Sequence, residues 1–233
     1  RRIEPGHDGK FAVFTLDDGY RDNFTEALPV FARHETPFTV YLATDLPDGT
    51  ADLWWVVLEE IIRKARQVTL DLEGREESLS TGTTDEKKAA WQRIYWALRK
   101  RPESEMRAVI AGLAEKYDIP SASLTREAAM SWDELRTLAR HPMARIEAHT
   151  AGHFALSGLT DAAARAEGDR GLARHEAELG ARPRHFSYPY GDHASAGERD
   201  FRLIADMGFR TATTTRKGLI QPRHRDRMCA LPR

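Results

Sequence analysis

The chain has 233 residues, of which 41% are hydrophobic and 30% charged, with 35 basic and 36 acidic side chains giving a formal net charge of −1. That is enough chain for one large domain or two small ones around a buried core, and the balanced charge supplies no global field for nucleic acid or anionic lipid. The single Cys229 excludes an internal disulfide framework, and no run approaches the roughly 20 apolar residues of a membrane span.

The start, Arg1-Arg2-Ile3-Glu4-Pro5-Gly6, has neither an initiator Met nor a signal-like apolar run, so a missing or processed N-terminus is expected. One cysteine and no visible signal fit the cytoplasm, with localisation and oligomeric state otherwise left open.

Short runs of β-branched and aromatic residues predict strands at Phe11–Leu16, Phe38–Ala43, Ala144–Ala148, His185–Tyr188 and Phe209–Thr214. Between them lie segments with helical spacing. Leu53–Arg66 is strongly apolar, and Met106, Val109, Ile110, Leu113, Ala114 and Tyr117 make one helical stripe. Ser131 with Glu134 fits a capping box, Gly180 the end of a Thr160–Leu179 helix, and Gly208 the turn before the last strand. Alternating strand and helix predicts an α/β fold with a parallel sheet, open or closed as a barrel. Residues 45–141 read as a helical insertion, with a polar loop at Ser78–Thr84, inside a single domain spanning 1–233.

Three clusters come directly after predicted strands. Thr15-Leu16-Asp17-Asp18-Gly19 ends an apolar strand in two adjacent carboxylates, which repel unless a cation or a shared proton relieves them. One of them could bind metal while the other stays free as a base, or both could be turn residues before Gly19. His149-Thr150-Ala151-Gly152-His153 places two imidazoles four residues apart, able to converge on one cation, and has no Glu between them as a zinc-protease helix would require. Phe186-Ser187-Tyr188-Pro189-Tyr190-Gly191-Asp192 turns an aromatic strand end through Pro and Gly, exposing backbone N–H groups that could face an oxyanion. The C-terminal ends of parallel strands share one face, where ligands bind. One carboxylate and two imidazoles there form a facial triad with open positions, and the second carboxylate is available as a general base.

These residues carry a resemblance. The chain resembles the polysaccharide deacetylases of the NodB-homology type, carbohydrate esterase family 4. Thr15–Gly19 is similar to that family's TFDDG motif, His149–His153 to its H-[ST]-x-x-H motif, and Phe186–Gly191 to the FAYPYG variant of its third motif. The resemblance implies a distorted (β/α) barrel of about seven parallel strands, a divalent ion on Asp18, His149 and His153, and Asp17 as base. The ion would be Zn2+, with Co2+, Mn2+, Fe2+ or Ni2+ as alternatives. The backbone N–H of Tyr190 would help to hold the oxyanion, and Tyr188 and Pro189 would line the substrate site.

Two departures accompany the resemblance. Many relatives carry an Arg at the position of Ser187 that orients the base, and the late Leu-x-His motif that supplies a general acid reads Leu231-Pro232-Arg233 here. His7, upstream in a Gly6-His7-Asp8-Gly9 turn, has no motif around it. Trp54, Trp55, Trp91, Tyr95, Trp96 and Trp132 could stack on sugar faces, Trp54 being the one assigned to substrate, although their helical spacing also suits a hydrophobic interior.

The expected activity is metal-dependent hydrolysis of an N-acetyl, secondarily an O-acetyl, group on a carbohydrate. The expected partner is the acetylated sugar, with neither nucleic acid nor membrane involved. Hydrolysis of another small amide at the same site, or a silent carbohydrate-binding domain, are the alternatives.

Overall fold

The computed structural model describes residues 10–233, and His7 lies outside the described residues. In chain order the elements begin with β1 (Phe14–Asp18), α1 (Leu28–Arg33), β2 (Phe38–Leu42), α2 (Asp45–Asp48) and α3 (Trp54–Lys64). Next come β3 (Gln67–Leu72), β4 (Arg75–Ser80), α4 (Thr84–Leu98), α5 (Glu103–Lys116), α6 (Ser121–Ala128) and α7 (Trp132–Ala139). The last are β5 (Ala144–Ala148), α8 (Asp161–Leu179), β6 (His185–Ser187), α9 (Glu198–Asp206) and β7 (Thr211–Thr213).

The chain divides into two compact units. One runs to Thr50 and resumes over Ala128–Arg233; the other is Ala51–Glu127. The helical segment expected at 45–141 is thus narrower as a compact unit, because residues 45–50 and 128–141 fold with the sheet.

The first unit holds a five-stranded sheet in the order β1-β2-β5-β6-β7, and every neighbouring pair is parallel. This is the expected α/β arrangement, with five strands among the described residues where about seven were anticipated. The register aligns Asp18 with Leu42 and Leu42 with Ala148, so the carboxyl ends of β1, β2 and β5 finish side by side. Phe11 and Val13 fall before β1 and are 49% and 63% exposed, and the strand instead runs on through both aspartates. Phe38, Val40, Leu42, Ala144 and Ile146 pack with Met130, Leu135 and Leu138 of the α7 region. Phe186 and Ala212 pack with Phe201, Leu203, Ile204 and Phe209 of the α9 region. Local signals hold: Ser131 and Glu134 form a reciprocal capping box on α7, and Gly180 ends α8 in the left-handed conformation.

The second unit is α3, the antiparallel β3–β4 hairpin, α4 and α5, with most of α6. α3 buries Trp54, Val57, Leu58, Ile61 and Ile62, while the stripe expected on α5 buries Met106, Ile110, Leu113 and Ala114. Val68, Leu70 and Leu72 alternate inward along β3. The polar loop expected at Ser78–Thr84 is corrected: Ser78 to Ser80 pair with Gln67 to Thr69 as the end of β4, and the loop is confined to Thr81, Gly82 and Thr83 before α4.

Candidate active site

The turn after β1 is forced by its own residues. Asp18 has φ +70° and Gly19 φ +89°, and a Cβ at Gly19 would meet Leu42 Cδ1 at 2.6 Å. Gly19 therefore satisfies both a backbone conformation and a close approach that larger residues resist. Backbone bonds from Arg21 N to Ala128 O (2.7 Å) and Met130 N to Gly19 O (3.0 Å) then fix the turn to the segment before α7.

The His149–His153 loop continues β5, with His149 N donating to Leu42 O at 3.0 Å. Thr150 and His153 both sit at positive φ, 63° and 60°. Four of the seven non-glycine residues at positive φ among those described, Asp18, Thr150, His153 and Tyr190, belong to the three motifs. Such backbone costs on the order of 1–3 kcal/mol per residue and persists where the surroundings over-determine it. Here the surroundings are plain. Glu167 of α8 accepts the Gly152 N–H, Asp45 N donates to Ala151 O at 2.9 Å, and Arg170 ties Asp45 (2.5 Å) to Glu167 (2.7 Å). α8 approaches so closely at Gly171 that a Cβ there would lie 2.9 Å from the Thr150 carbonyl carbon.

Asp18, His149 and His153 converge. Their ligand atoms all lie within 4.8 Å of one another, with His149 Nε2 at 3.3 Å and His153 Nε2 at 3.1 Å from Asp18 Oδ1. His149 Nδ1 is 2.7 Å from Ser187 O. A carbonyl can only accept, so Nδ1 carries the proton, and in the neutral ring Nε2 turns a lone pair towards a carboxylate oxygen. Asp18 Oδ1 is buried without a hydrogen-bond partner of good geometry. Lone pairs facing one another in a buried place are relieved by a cation, and one carboxylate with two imidazoles is a donor set suited to zinc and similar divalent ions. These residues fit a metal. Burial alone would raise Asp18, but His153 and His149 hold it far below the usual carboxylate range; burial alone would lower His149, but Asp18 and Asp17 raise it.

Asp17 stands beside this cluster and outside it. Its two oxygens receive Arg233 Nη1 at 2.8 Å and Nη2 at 2.5 Å. Burial would raise its pKa, yet the Arg233 hydrogen bonds and the neighbouring His149 hold it below the ordinary value. A guanidinium thus reaches Asp17 from a residue 216 positions away in sequence. Ser187 instead contributes its carbonyl to His149. The sequence signal for Arg233 was the unusual Arg at the end of the late Leu-x-His pattern.

At the third motif Tyr190 (φ +62°) sets its ring 4.7 Å from that of His153, edge to face. Its neighbours do not fill the role expected of them. Tyr188 is 1% exposed, packs on Phe186 and Phe201 and donates its hydroxyl to Cys229 O at 2.8 Å, and Pro189 is buried with its carbonyl accepting Gly191 N. Trp54 is 1% exposed and stacks on Tyr95 at 5.1 Å within the second unit. These side chains are core residues and present no face to a sugar, which corrects their assignment to substrate. The hydrophobic-interior alternative holds for Trp54, whereas Trp96 is 57% exposed.

A parallel α/β sheet with a carboxylate–imidazole cluster at its carboxyl edge is the class of molecule that the geometry defines. The polysaccharide deacetylase family matches residues 80–212, more than half of the chain, and the protein belongs to that family. The match takes in His149, His153 and Tyr190, while Asp17 and Asp18 precede it. No curated protein matches the sequence. Among solved structures, a deacetylase of Streptococcus pyogenes, PplD in complex with acetate, is similar at 13% identity with a TM-score of 0.56, over 97% of this chain and 65% of that one. The BpsB deacetylase domain of Bordetella bronchiseptica is similar at 16% identity and a TM-score of 0.54, over 95% and 69% of the two chains. BC0361, a polysaccharide deacetylase of Bacillus cereus, is similar at 14% and 0.51, over 95% and 45%. The chain thus spans 65% or less of the length of two of these three proteins, and at such identities the likeness is one of fold. No helix among the described residues is long and apolar enough to cross a membrane.

Proposed function

We propose that the protein is a metal-dependent deacetylase that removes N-acetyl groups from a carbohydrate. The observation that carries this reading is the convergence of Asp18, His149 and His153 within 4.8 Å, with Asp17 held next to them by a different partner. Membership of the polysaccharide deacetylase family supports the acetylated sugar as substrate.

In this reading Asp18, His149 and His153 hold a divalent ion, zinc by the donor set, which when bound polarises the acetyl carbonyl and eases deprotonation of water. Ser187 O fixes the His149 tautomer that such binding requires. Asp17 accepts the proton of the attacking water as its oxygen adds to the carbonyl carbon. The Tyr190 backbone N–H, presented by the left-handed turn, donates to the oxygen on which charge develops. The carbon–nitrogen bond then breaks, the proton taken up by Asp17 passes to the amine nitrogen, and acetate and a free amino sugar leave.

The test combines elemental analysis with acetate release from N-acetylated and O-acetylated sugar oligomers. One equivalent of divalent metal is expected in the parent and little in His149→Ala. Asp17→Asn is expected to retain its metal and lose turnover by about 10²–10⁴-fold, the usual span of general acid–base catalysis. A parent that binds none of zinc, cobalt or manganese, or an Asp17→Asn enzyme with near-normal rate, refutes the assignment.

A further inference from the structure

We propose that Arg233 positions the base of this site, keeping Asp17 off the metal cluster and fixed in one orientation. The inference rests on the deacetylase reading above and extends it to a residue that lies outside all three motifs.

The physical problem is the adjacent pair of carboxylates. Both Asp17 and Asp18 end β1, and like charges one residue apart repel in a partly buried place. Each needs its own positive partner if the two are to keep different tasks. Asp18 turns to the imidazoles. Asp17 receives both terminal nitrogens of Arg233, one on each oxygen, at 2.8 and 2.5 Å. A fork-on-fork pair of this kind sets the plane of the carboxylate as well as its charge. It also uses only one acceptor site of each oxygen, leaving the others free to take a proton from water. The same Nη1 reaches Thr15 Oγ1 at 3.3 Å, so the guanidinium spans two residues of β1 that share one face.

Arg233 is itself held. Leu231 pairs with β7 as a parallel bridge, through Leu231 N to Ala212 O and Thr214 N to Leu231 O, both at 2.9 Å. Arg233 N donates to Arg216 O at 2.9 Å. The segment is further pinned where Cys229 O receives the Tyr188 hydroxyl. β1 and β7 are the two edges of the sheet. The Arg233 side chain therefore crosses from the segment on one edge to the carboxylate on the other, which a short side chain could not do. Ser187, where an orienting Arg would otherwise be expected, is fully buried and its hydroxyl finds no hydrogen-bond partner.

The experiment compares Arg233→Met, Arg233→Lys and Arg233→Ala in the full chain, loaded with zinc, for metal content, kcat, KM and thermal midpoint. Arg233→Met is expected to keep its metal and its KM within about twofold and to lose kcat by about 10–100-fold, the span typical when a group that orients a catalytic residue is removed. Arg233→Lys should recover only part of the loss, because an ammonium cannot make the two-point contact. Guanidinium added to Arg233→Ala should restore part of kcat, which a merely structural role would not allow. Independently of turnover, a double-mutant cycle of Arg233→Met and Asp17→Asn in thermal unfolding should be non-additive. An unchanged kcat in Arg233→Met, or strict additivity in the cycle, overturns the proposal. Failure of the underlying reading looks different: the parent then binds no metal or releases no acetate, and the inference falls with it.

Discussion

The two units bury different chemistry. In Ala51–Glu127 the buried polar residues are Thr81 and Thr125, set among Trp, Leu, Ile, Val and Met. The sheet unit buries Asp45, Glu147, Glu167 and Asp200 together with His149, His153 and His175. Buried carboxylates and imidazoles are costly unless every one is answered by a partner. Here the partners are specific. Glu147 accepts from Arg184 N and His185 N, Asp200 from Gly197 N, and Glu167 from Gly152 N and Arg170. The contrast teaches where the molecule has accepted electrostatic cost: along the carboxyl ends of the strands and in the helix that supports them. A packing unit and a chemical unit should accordingly fail in different ways.

The largest effect tests the packing side. Ile61 is fully buried on α3, and Ile61→Ala is expected to destabilise by about 2–5 kcal/mol, lost transfer energy plus the cavity left behind. Calorimetry should show a lower thermal midpoint while the metal content of the folded protein stays at one equivalent. Loss of metal from the folded protein would mean that the two units are not separable in this way.

A smaller effect is expected on the chemical side. Glu167 is not one of the three clustered residues, but holds the backbone between His149 and His153 through Gly152. Glu167→Gln keeps the shape and removes the charge that binds Arg170. Metal affinity, measured by competition with a chelator, should weaken by about tenfold, the lower end of what residues behind the ligands contribute. The thermal midpoint of the metal-free protein should move little. Equal affinity in parent and variant would show that the loop holds its shape without α8.

These differences explain what was legible in sequence. Asp17, Asp18, His149 and His153 could be read because each pair breaks an apolar strand, and the fold places such strand ends on one face. The β3–β4 hairpin lies inside the segment that reads as helical, although its own signs are present. Val68, Leu70 and Leu72 alternate with polar residues, and Glu73-Gly74 makes a two-residue turn with both φ values positive. The helical stripes on either side, in α3 and α5, dominate the pattern of the whole segment. Tyr188 and Trp54 read equally well in sequence as sugar-facing aromatics and as core, and only burial separates the two uses. Arg233 shows in sequence only as an Arg where the late Leu-x-His pattern would have His, and its partner cannot be read there, since that partner lies on the opposite edge of the sheet.

The smallest effect concerns a charge pair in the sheet unit that supports the chemical face without touching it. Asp48, at the end of α2, accepts Arg174 Nε at 2.8 and 2.9 Å, Arg174 Nη2 at 2.6 Å and Trp132 Nε1 at 2.7 Å. Burial works to raise this carboxyl, but Arg174 and Trp132 together hold it below its ordinary value of 3.8. Below that value the unfolded chain binds the proton more readily than the folded one does. The stabilisation is therefore complete above pH 3.8 and lost as pH falls through the lower folded value. Asp48→Asn should lower stability near neutral pH by about 1 kcal/mol, a discounted figure for a pair partly open to solvent. More tellingly, it should flatten the acid limb of the thermal midpoint against pH. Parent and variant curves that remain parallel from about pH 5 down to about pH 2 would show that α2 is held to α7 and α8 by packing alone.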